Sequence, residues 1–538
     1  MLRSTFLGYK TASSALRVNQ NALDIVGQNI SNVNTNGYTR QSLDINSVSF
    51  SNSNIKFGTD GVVIGQGVRA SGITQYRDAF LDLRYRTESA KVGSENVQLE
   101  ALNDLEYVFD EISTEGLDAQ FSDLIEQLQS LTSSPSDPVI EGVVRTSASM
   151  LCQMLNDYAK QINTIESQQL TYLKDGAMEK TNQLLENISV LNKQIKENNI
   201  SGNDALELND ERNMLIDELS SYISIDIKLT PQPIGGGRSV DLLSINLSGT
   251  GIKLVDDDEF ASLSVTTGNN YGVGINLEKS IDSTAVNSDL TDVIKIGQLG
   301  GYLSFLNGNG EFDLTGKFDN KGVLYYENML NTLANKFAEE MNEANKYLSK
   351  DGTGNYILDV DGNYTYSDRP LFEPRSTDKT VKITAENIKI SDAWANASSS
   401  YITNTKMPNV AGDDSGATDN ILKMISLFQS GSGTMEFKFD KNTTDVNDDK
   451  VLFKGTMQEF FSFTSTRLSL EIEDVKNSYD TYAQTQYEID YQRNSMSSVD
   501  LDEEGVNLLT YQKSYNAAAR LMTTLDEMLD TLINRMGV

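Results

Sequence analysis

Apolar residues recur every seventh position at the start of the chain, through Leu2, Tyr9, Leu16, Leu23 and Ile30. Ala12, Val26 and Val33 form a second row three places on, which Asn19 interrupts. Two rows so spaced share one face of a helix, so this end predicts an amphipathic rod of roughly 45 Å. The other end repeats the pattern more strongly. Leu501, Leu508, Tyr515, Met522, Leu529 and Met536 make one row, and Tyr511, Ala518, Leu525 and Leu532 the other. Asp500, followed three residues later by Glu503, predicts an N-cap with a capping box, and Asp502 and Glu504 suit the positive helix end. Phe461, Leu468, Val475, Tyr482, Ile489 and Met496 form a third seam, and Asn494–Val499, "NSMSSV", predicts the break between the last two helices.

Helix breakers concentrate between the two ends: all seven prolines lie between positions 135 and 408. Residues 88–131 and 138–220 predict helices separated by "TSSPSDP", the second with Leu184, Leu185, Ile188, Leu191 and Ile195 at helical spacing. From Tyr222 the period becomes two. Ile223, Ile225, Ile227 and Leu229 alternate with polar residues, as do Leu243, Ile245 and Leu247, then Val273, Ile275 and Leu277, which predicts an antiparallel, half-exposed sheet. Helix returns over 323–348, and 351–455 is rich in Asp, Asn, Gly and Thr, with no repeat of fixed period expected anywhere.

Each large aliphatic side chain is worth about 1.5–3 kcal/mol when buried, so two terminal seams most simply bury each other. The expected architecture is multidomain α + β. Residues 1–87 with 456–538 form a coiled-coil stalk of paired N- and C-terminal helices. Residues 88–221 with about 321–350 form a helical domain, 222–320 an antiparallel β-rich outer domain, and 351–455 a mixed region belonging to the outer or the helical domain. Tyr9, Tyr511 and Tyr515 call for more covering surface than one partner helix supplies, which predicts packing in a multi-copy assembly.

At 538 residues the chain exceeds a single ordinary core. Its formal charge of −33 opposes nucleic acid and anionic membrane surfaces. Histidine is absent and Cys152 is the one cysteine, which removes histidine-based catalysis, the common zinc sites and any intrachain disulfide. Cys152 lies in a helical stripe with Leu151, Leu155 and Tyr158 and reads as a core thiol. No apolar run is long enough to span a bilayer, and the first twenty residues lack the apolar block of a secretory signal. "PIGGGRS" lacks the Lys-Ser/Thr of a phosphate loop. Asp359-Val-Asp361-Gly-Asn363 opens like a calcium loop, but Pro370 stands where a bidentate Glu belongs, so a hairpin turn is expected. Tyr479, Tyr482, Tyr487 and Tyr491 are expected to form packing seams rather than a base-stacking platform. No catalytic constellation, cofactor or metal is expected.

The stretch "NISNVNTNGYTR" places Asn29, Asn32, Asn34 and Asn36 just before Gly37 and Tyr38. Asparagine accepts left-handed backbone and can satisfy the orphaned carbonyls of a helix end, and Gly37 permits a positive φ. "ALRVNQNALDIVGQNISNVNTNGYTRQ" (Ala15–Gln41) resembles the N-terminal motif of bacterial flagellar rod, hook and hook-associated proteins. "VDLDEEGVNLLTYQKSYNAAARLMTTLDEMLDTLI" (Val499–Ile533) is similar to their C-terminal motif, in the form carried by the hook–filament junction members.

The resemblance implies a structural role: a homo-oligomeric ring in the extracellular flagellum, touching the hook protein on one side and a second junction protein and the filament on the other. It implies export without a cleaved signal peptide, after a cytoplasmic chaperone has bound the last helix. The implied assembly interface is Leu2, Tyr9, Leu16, Leu23, Val26, Ile30 and Val33 of the first helix, with Asn29, Asn32, Asn34, Asn36, Gly37 and Tyr38. From the last helix it takes Leu508, Tyr511, Tyr515, Met522, Leu525, Leu529 and Leu532. The implied chaperone contact is Leu501, Leu508, Tyr515, Met522, Leu525, Leu529 and Leu532. Tyr9 departs from the aliphatic residue expected there, and Cys152 is unusual for such proteins. Hook and distal rod proteins share the N-terminal motif and remain alternatives, as does an adhesin role for the middle of the chain.

Overall fold

The computed structural model describes residues 5–48, 67–109, 116–235, 238–268, 272–281, 288–313, 316–408, 416–429, 435–438 and 451–531. Helix α1 (Thr5–Ser31) leads into a hairpin of β1 (Gln41–Ser47) and β2 (Val68–Gln75). A run of helices follows: α2 (Ala79–Phe109), α3 (Leu117–Thr132), α4 (Pro138–Thr171), α5 (Glu179–Ser201) and α6 (Leu206–Tyr222), with a π-helical stretch at Tyr172–Met178 joining α4 to α5. Helix α2 begins nine residues before the position the sequence pattern indicated. The Asp78 carboxylate accepts the Phe80 N–H at 2.8 Å and opens the helix there. Asp137 caps α4 by accepting from the Val139 N–H, with Pro138 in the first turn. Gly202, at φ 89°, closes α5.

Strands β3 (Ile225–Gly235), β4 (Arg238–Leu247), β5 (Lys253–Asp256) and β6 (Glu259–Phe260) form one antiparallel sheet in chain order, and β7 (Ser262–Thr267) pairs with β8 (Val273–Lys279). The register sets Ile225, Ile227 and Leu229 opposite Leu247, Ile245 and Leu243. Pro231 and Pro233 are tolerated because β3 is an edge strand. Helices α7 (Gln298–Asn307) and α8 (Val323–Asn345) return to the bundle. Next come three short hairpins, β9 (Tyr347–Leu348) with β10 (Tyr366–Ser367), β11 (Phe372–Pro374) with β12 (Ile388–Ile390), and β13 (Met435–Lys438) with β14 (Val451–Gly455). Helices α9 (Asp392–Ala395) and α10 (Asp419–Ser426) lie among them. The chain ends in α11 (Met457–Ser497) and α12 (Leu501–Asp530).

The molecule is mixed α and β, with long helices at both ends and small antiparallel sheets between them. One continuous core joins the bundle to the sheets: Ile245, Leu254, Val255, Leu263, Ile275 and Leu277 share it with Leu151, Leu155, Leu184 and Ile188. One part of it is aromatic. Phe337 packs 4.6 Å from Phe372 and 6.2 Å from Phe121, and Trp394 lies edge-on to Phe372. The fully buried Glu141 on α4 accepts from Trp394 Nε1 at 2.9 Å, Ser400 Oγ at 2.8 Å and the Tyr401 N–H at 2.9 Å, tying the α9 region to the bundle. Cys152 is buried in the core, and burial pushes its thiol up to about 12.

Two local expectations are corrected. Tyr487 and Tyr491 stand 68% and 69% exposed, so they form no packing seam, while Tyr482 lies under the Lys91 ammonium. The absence of repeats also fails locally. Asp351-x-x-Gly354-Asn355-Tyr356 recurs eight residues later as Asp359-x-x-Gly362-Asn363-Tyr364, and each aspartate accepts the N–H groups two and four residues on. The second unit is the hairpin turn expected, bridged from Leu358 to Tyr364. Among the described residues no acidic or cysteine cluster could hold a metal ion, and no helix is long and apolar enough to cross a membrane.

Candidate assembly interface

Helices α1 and α12, drawn from opposite ends of the chain, pack along each other in antiparallel fashion. At one end Gly8 faces Leu525, where an added Cβ would meet both Leu525 methyls at 3.4 Å. At the other, Asn29 Nδ2 donates to Glu504 Oε2 at 3.2 Å. The two contacts lie 21 positions apart on each helix, roughly 32 Å of shared length. Small residues set the approach: Ala12 and Ala22 of α1 and Ala518 of α12 are buried where larger side chains would hold the axes apart.

The lower end of this pair is a polar joint. Asn29 is fully buried and fully used. Its amide nitrogen donates to Gln41 O at 2.9 Å as well as to Glu504, and its oxygen accepts from the Gln41 N–H at 3.1 Å and from Tyr38 Oη at 2.9 Å. Arg40 bridges Glu504 at 2.8 Å and Glu503 at 2.6 Å, and its N–H donates to Ser497 O at 2.9 Å. Burial would lower the Arg40 guanidinium, but the two carboxylates outweigh it and raise it. Burial, with Glu207, Asp210 and Glu504 nearby, pushes the Tyr38 phenol up to about 12. Thr39 donates twice to Asp210, from its N–H at 3.0 Å and its hydroxyl at 2.7 Å, which fixes the exit segment to α6. Asp500 caps α12 as expected. Glu503 turns to Arg40 instead of completing a capping box, and the box in this part of the chain is the Thr456–Glu459 pair that opens α11.

The four asparagines therefore divide. Asn29 is structural, Asn32 donates back to Gln28 O at 3.0 Å at the helix end, and Asn34 and Asn36 are exposed. Gly37 is required twice: its φ is +76°, and a Cβ there would fall 2.1 Å from Met214 Sδ. Of the remaining candidates on α1, Val26 is buried, Leu16, Leu23, Ile30 and Val33 are half-buried, and Tyr9 is 44% exposed. On α12, Tyr511, Tyr515, Met522, Leu525 and Leu529 are half-buried, whereas Leu501 and Leu508 are exposed. Leu2 and Leu532 lie outside the described residues. Sequence periodicity missed Arg40, Glu504 and Asp210, which belong to no apolar row, and it missed the exposed Val506, Leu509, Leu521 and Met528 of α12.

The terminal helices and the bundle between them each match a family profile. Residues 10–39 match the family profile described as flagella basal body rod protein, and 492–536 that of the flagellar basal body rod FlgEFG protein C-terminal region. Residues 102–354 match that of the flagellar hook-associated protein FlgK helical domain. The flagellar hook-associated protein 1 of Bacillus subtilis (strain 168) is 29% identical over 554 residues, spanning 100% of this chain and 99% of that protein. The likeness to flagellar hook-associated protein 1 therefore runs along the whole chain. The flagellar hook-associated protein 1 of Escherichia coli (strain K12) is 25% identical over 585 residues, covering 97% and 98% of the two chains. The flagellar hook junction protein FlgK from Burkholderia pseudomallei has the same fold over 77% of this chain and 100% of its own, with a TM-score of 0.52 and 14% identity. The two rod profiles fall on α1 with its exit segment and on the end of α11 with α12, the elements that meet at the joint.

Proposed function

We propose that this chain is a structural component of the bacterial flagellum that joins hook to filament. The observation that carries the reading is end-to-end correspondence with the Bacillus relative, combined with termini that pack on each other and leave apolar rows open. In this reading α1 and α12 form a coiled-coil stalk, and residues 88–221 with about 321–350 form a helical domain that carries the sheets outward. Copies assemble as a ring through Tyr9, Leu16, Leu23, Ile30, Asn34 and Asn36 of one stalk and Leu508, Tyr511, Tyr515 and Met522 of the next. Leu2 and Leu532 extend the two rows. The ring meets the hook protein on one side, and a second junction protein and the filament on the other.

Before export, a cytoplasmic chaperone covers Leu501, Leu508, Tyr515, Met522, Leu525, Leu529 and Leu532, whose exposure would otherwise promote association. The protein works outside the cell and is secreted without a cleaved signal peptide. Leu508→Asp and Leu525→Asp should each leave cells with hooks, no attached filaments, and flagellin lost to the medium. Deleting residues 505–538 should abolish chaperone binding. Normal swimming in both aspartate variants would overturn the reading.

A further inference from the structure

Arg212 on α6 is 8% exposed and has no acidic partner among the described residues. Its Nη1 donates to Asn192 Oδ1 at 3.0 Å and its Nη2 to Asn209 Oδ1 at 2.9 Å, while Nε is buried without any partner. Of the carboxylates near it in the chain, Glu211 is exposed, and Asp210 and Asp217 are engaged elsewhere. Asp210 receives Thr39 and Gln75, and Asp217 receives Arg86 and Arg493 at 2.6 and 2.5 Å. Burial pushes the guanidinium down to about 10, and Arg86 and Arg77 push the same way. A buried, uncompensated cation costs free energy, and a neutral amide on each side only partly offsets it.

Arg212 also lines a cleft of about 1030 Å³, walled by α1, the β1–β2 hairpin, the α5–α6 turn and β4. The cleft rim carries three exposed carboxylates, Asp24, Asp204 and Asp241. A cationic floor inside an acidic rim selects an occupant that carries a carboxylate flanked by basic groups. A free anion meets the repulsion of the rim, and a purely basic segment leaves the floor unpaired. This chain displays the complementary pattern on its own surface. On the β13–β14 hairpin, Glu436 stands between Lys438 and Lys454 at 3.4 and 2.6 Å, with all three side chains solvent-accessible.

We propose that Arg212 anchors a carboxylate-binding cleft filled by an acidic side chain of a second copy of this chain. The idea rests on the assembly reading above and adds a polar, register-setting contact to the apolar ones on the stalk. Nη1 and Nη2 each keep one N–H beyond the amide they serve, enough to receive a carboxylate, so no second cation is required in the cleft.

The test uses the full-length chain in cells that lack their own copy, with a photo-crosslinking residue in place of the exposed Asp204. First, the otherwise unaltered chain must enter the hook–filament boundary. If it does not, the assembly reading itself fails. Given entry, illumination should give adducts between two copies, and Arg212→Met should reduce them about tenfold or more, the loss of a charge-assisted contact. Adducts with another protein, none at all, or an unchanged yield in Arg212→Met would overturn the cleft while leaving the assembly reading intact. The isolated Arg212→Met chain supplies a second readout. Removing an uncompensated buried cation should leave its thermal midpoint unchanged or raise it. A fall of several degrees would mean that Arg212 serves only to bridge Asn192 and Asn209, and would equally overturn the proposal.

Discussion

Helices α11 and α12 share one seven-residue rhythm and meet opposite fates. In α11 the rhythm is weaker in sequence, yet Phe460, Phe461, Leu468, Ile472, Val475 and Ile489 are all buried against α2, α8 and their neighbours. In α12 the pattern is longer and more regular, and only Glu504 and Ala518 are buried. The difference is one of supply. Helix α11 lies beside a bundle that can cover it from several sides, while α12 has α1 along one flank. A heptad seam reports that a face is built to be covered. It does not say whether the cover comes from the same chain.

Substitution breaks this comparison most sharply. Leu468→Ala, at a site 1% exposed, should cost about 2–5 kcal/mol in the isolated chain, read as a lower denaturant midpoint. Leu521→Ala in α12, 47% exposed, should change the same midpoint by less than about 0.5 kcal/mol while weakening attachment of filaments to hooks. Equal losses in the isolated chain would mean that α12 is already as complete as α11.

The contrast also marks how much was legible in the sequence. Periodicity located α1, α11, α12 and the break at "NSMSSV", because a helix facing any apolar cover keeps its 3.5-residue spacing. Alternation located β3, β4 and β8, and the expected Asp500 cap is present. The joint was not legible. Arg40, Asp210 and Glu504 are separated by more than 160 residues and meet only after folding, so no local pattern marks them. Glu503 shows the same limit in miniature. Its spacing from Asp500 fits a capping box, but a guanidinium brought from Arg40 offers a charged partner, and an ion pair replaces the local bond. The tandem Asp-x-x-Gly-Asn-Tyr units were legible but too short a repeat to announce themselves.

The joint yields the next largest effects. Glu504→Ala removes one of the two acceptors of the buried Asn29 amide nitrogen and unpairs one arm of Arg40, and should cost about 3 kcal/mol within the α1–α12 pair. Faster hydrogen exchange over 22–41 and 501–512, with the bundle unchanged, is the expected signature. Uniformly faster exchange would show that the pair and the bundle unfold as one unit, which would erase the distinction between α11 and α12. Gly37→Ala should cost about 1–3 kcal/mol through its left-handed backbone and the Met214 clash. Adding Met214→Ala should recover the steric part alone. Full recovery would leave the backbone argument without support.

The smallest effect separates the joint from the rest by pH. The Tyr38 phenol is raised to about 12 in the folded chain and lies near 10 when unfolded. The folded state therefore holds this proton more tightly. The resulting stabilisation is fully present below pH 10 and is lost as pH rises towards 12. Tyr38→Phe removes the hydroxyl that donates to Asn29 and should cost about 0.5–1.5 kcal/mol at neutral pH. Between pH 10 and 12 its stability should fall less steeply than that of the parent chain. Tyr302, Tyr325 and Tyr326 are also raised by burial, but they lie in the bundle and titrate in both proteins, so the difference between the two curves isolates the joint. Parallel curves through that window would mean that Tyr38 titrates alike folded and unfolded, and that the joint is wetter than its hydrogen bonds imply.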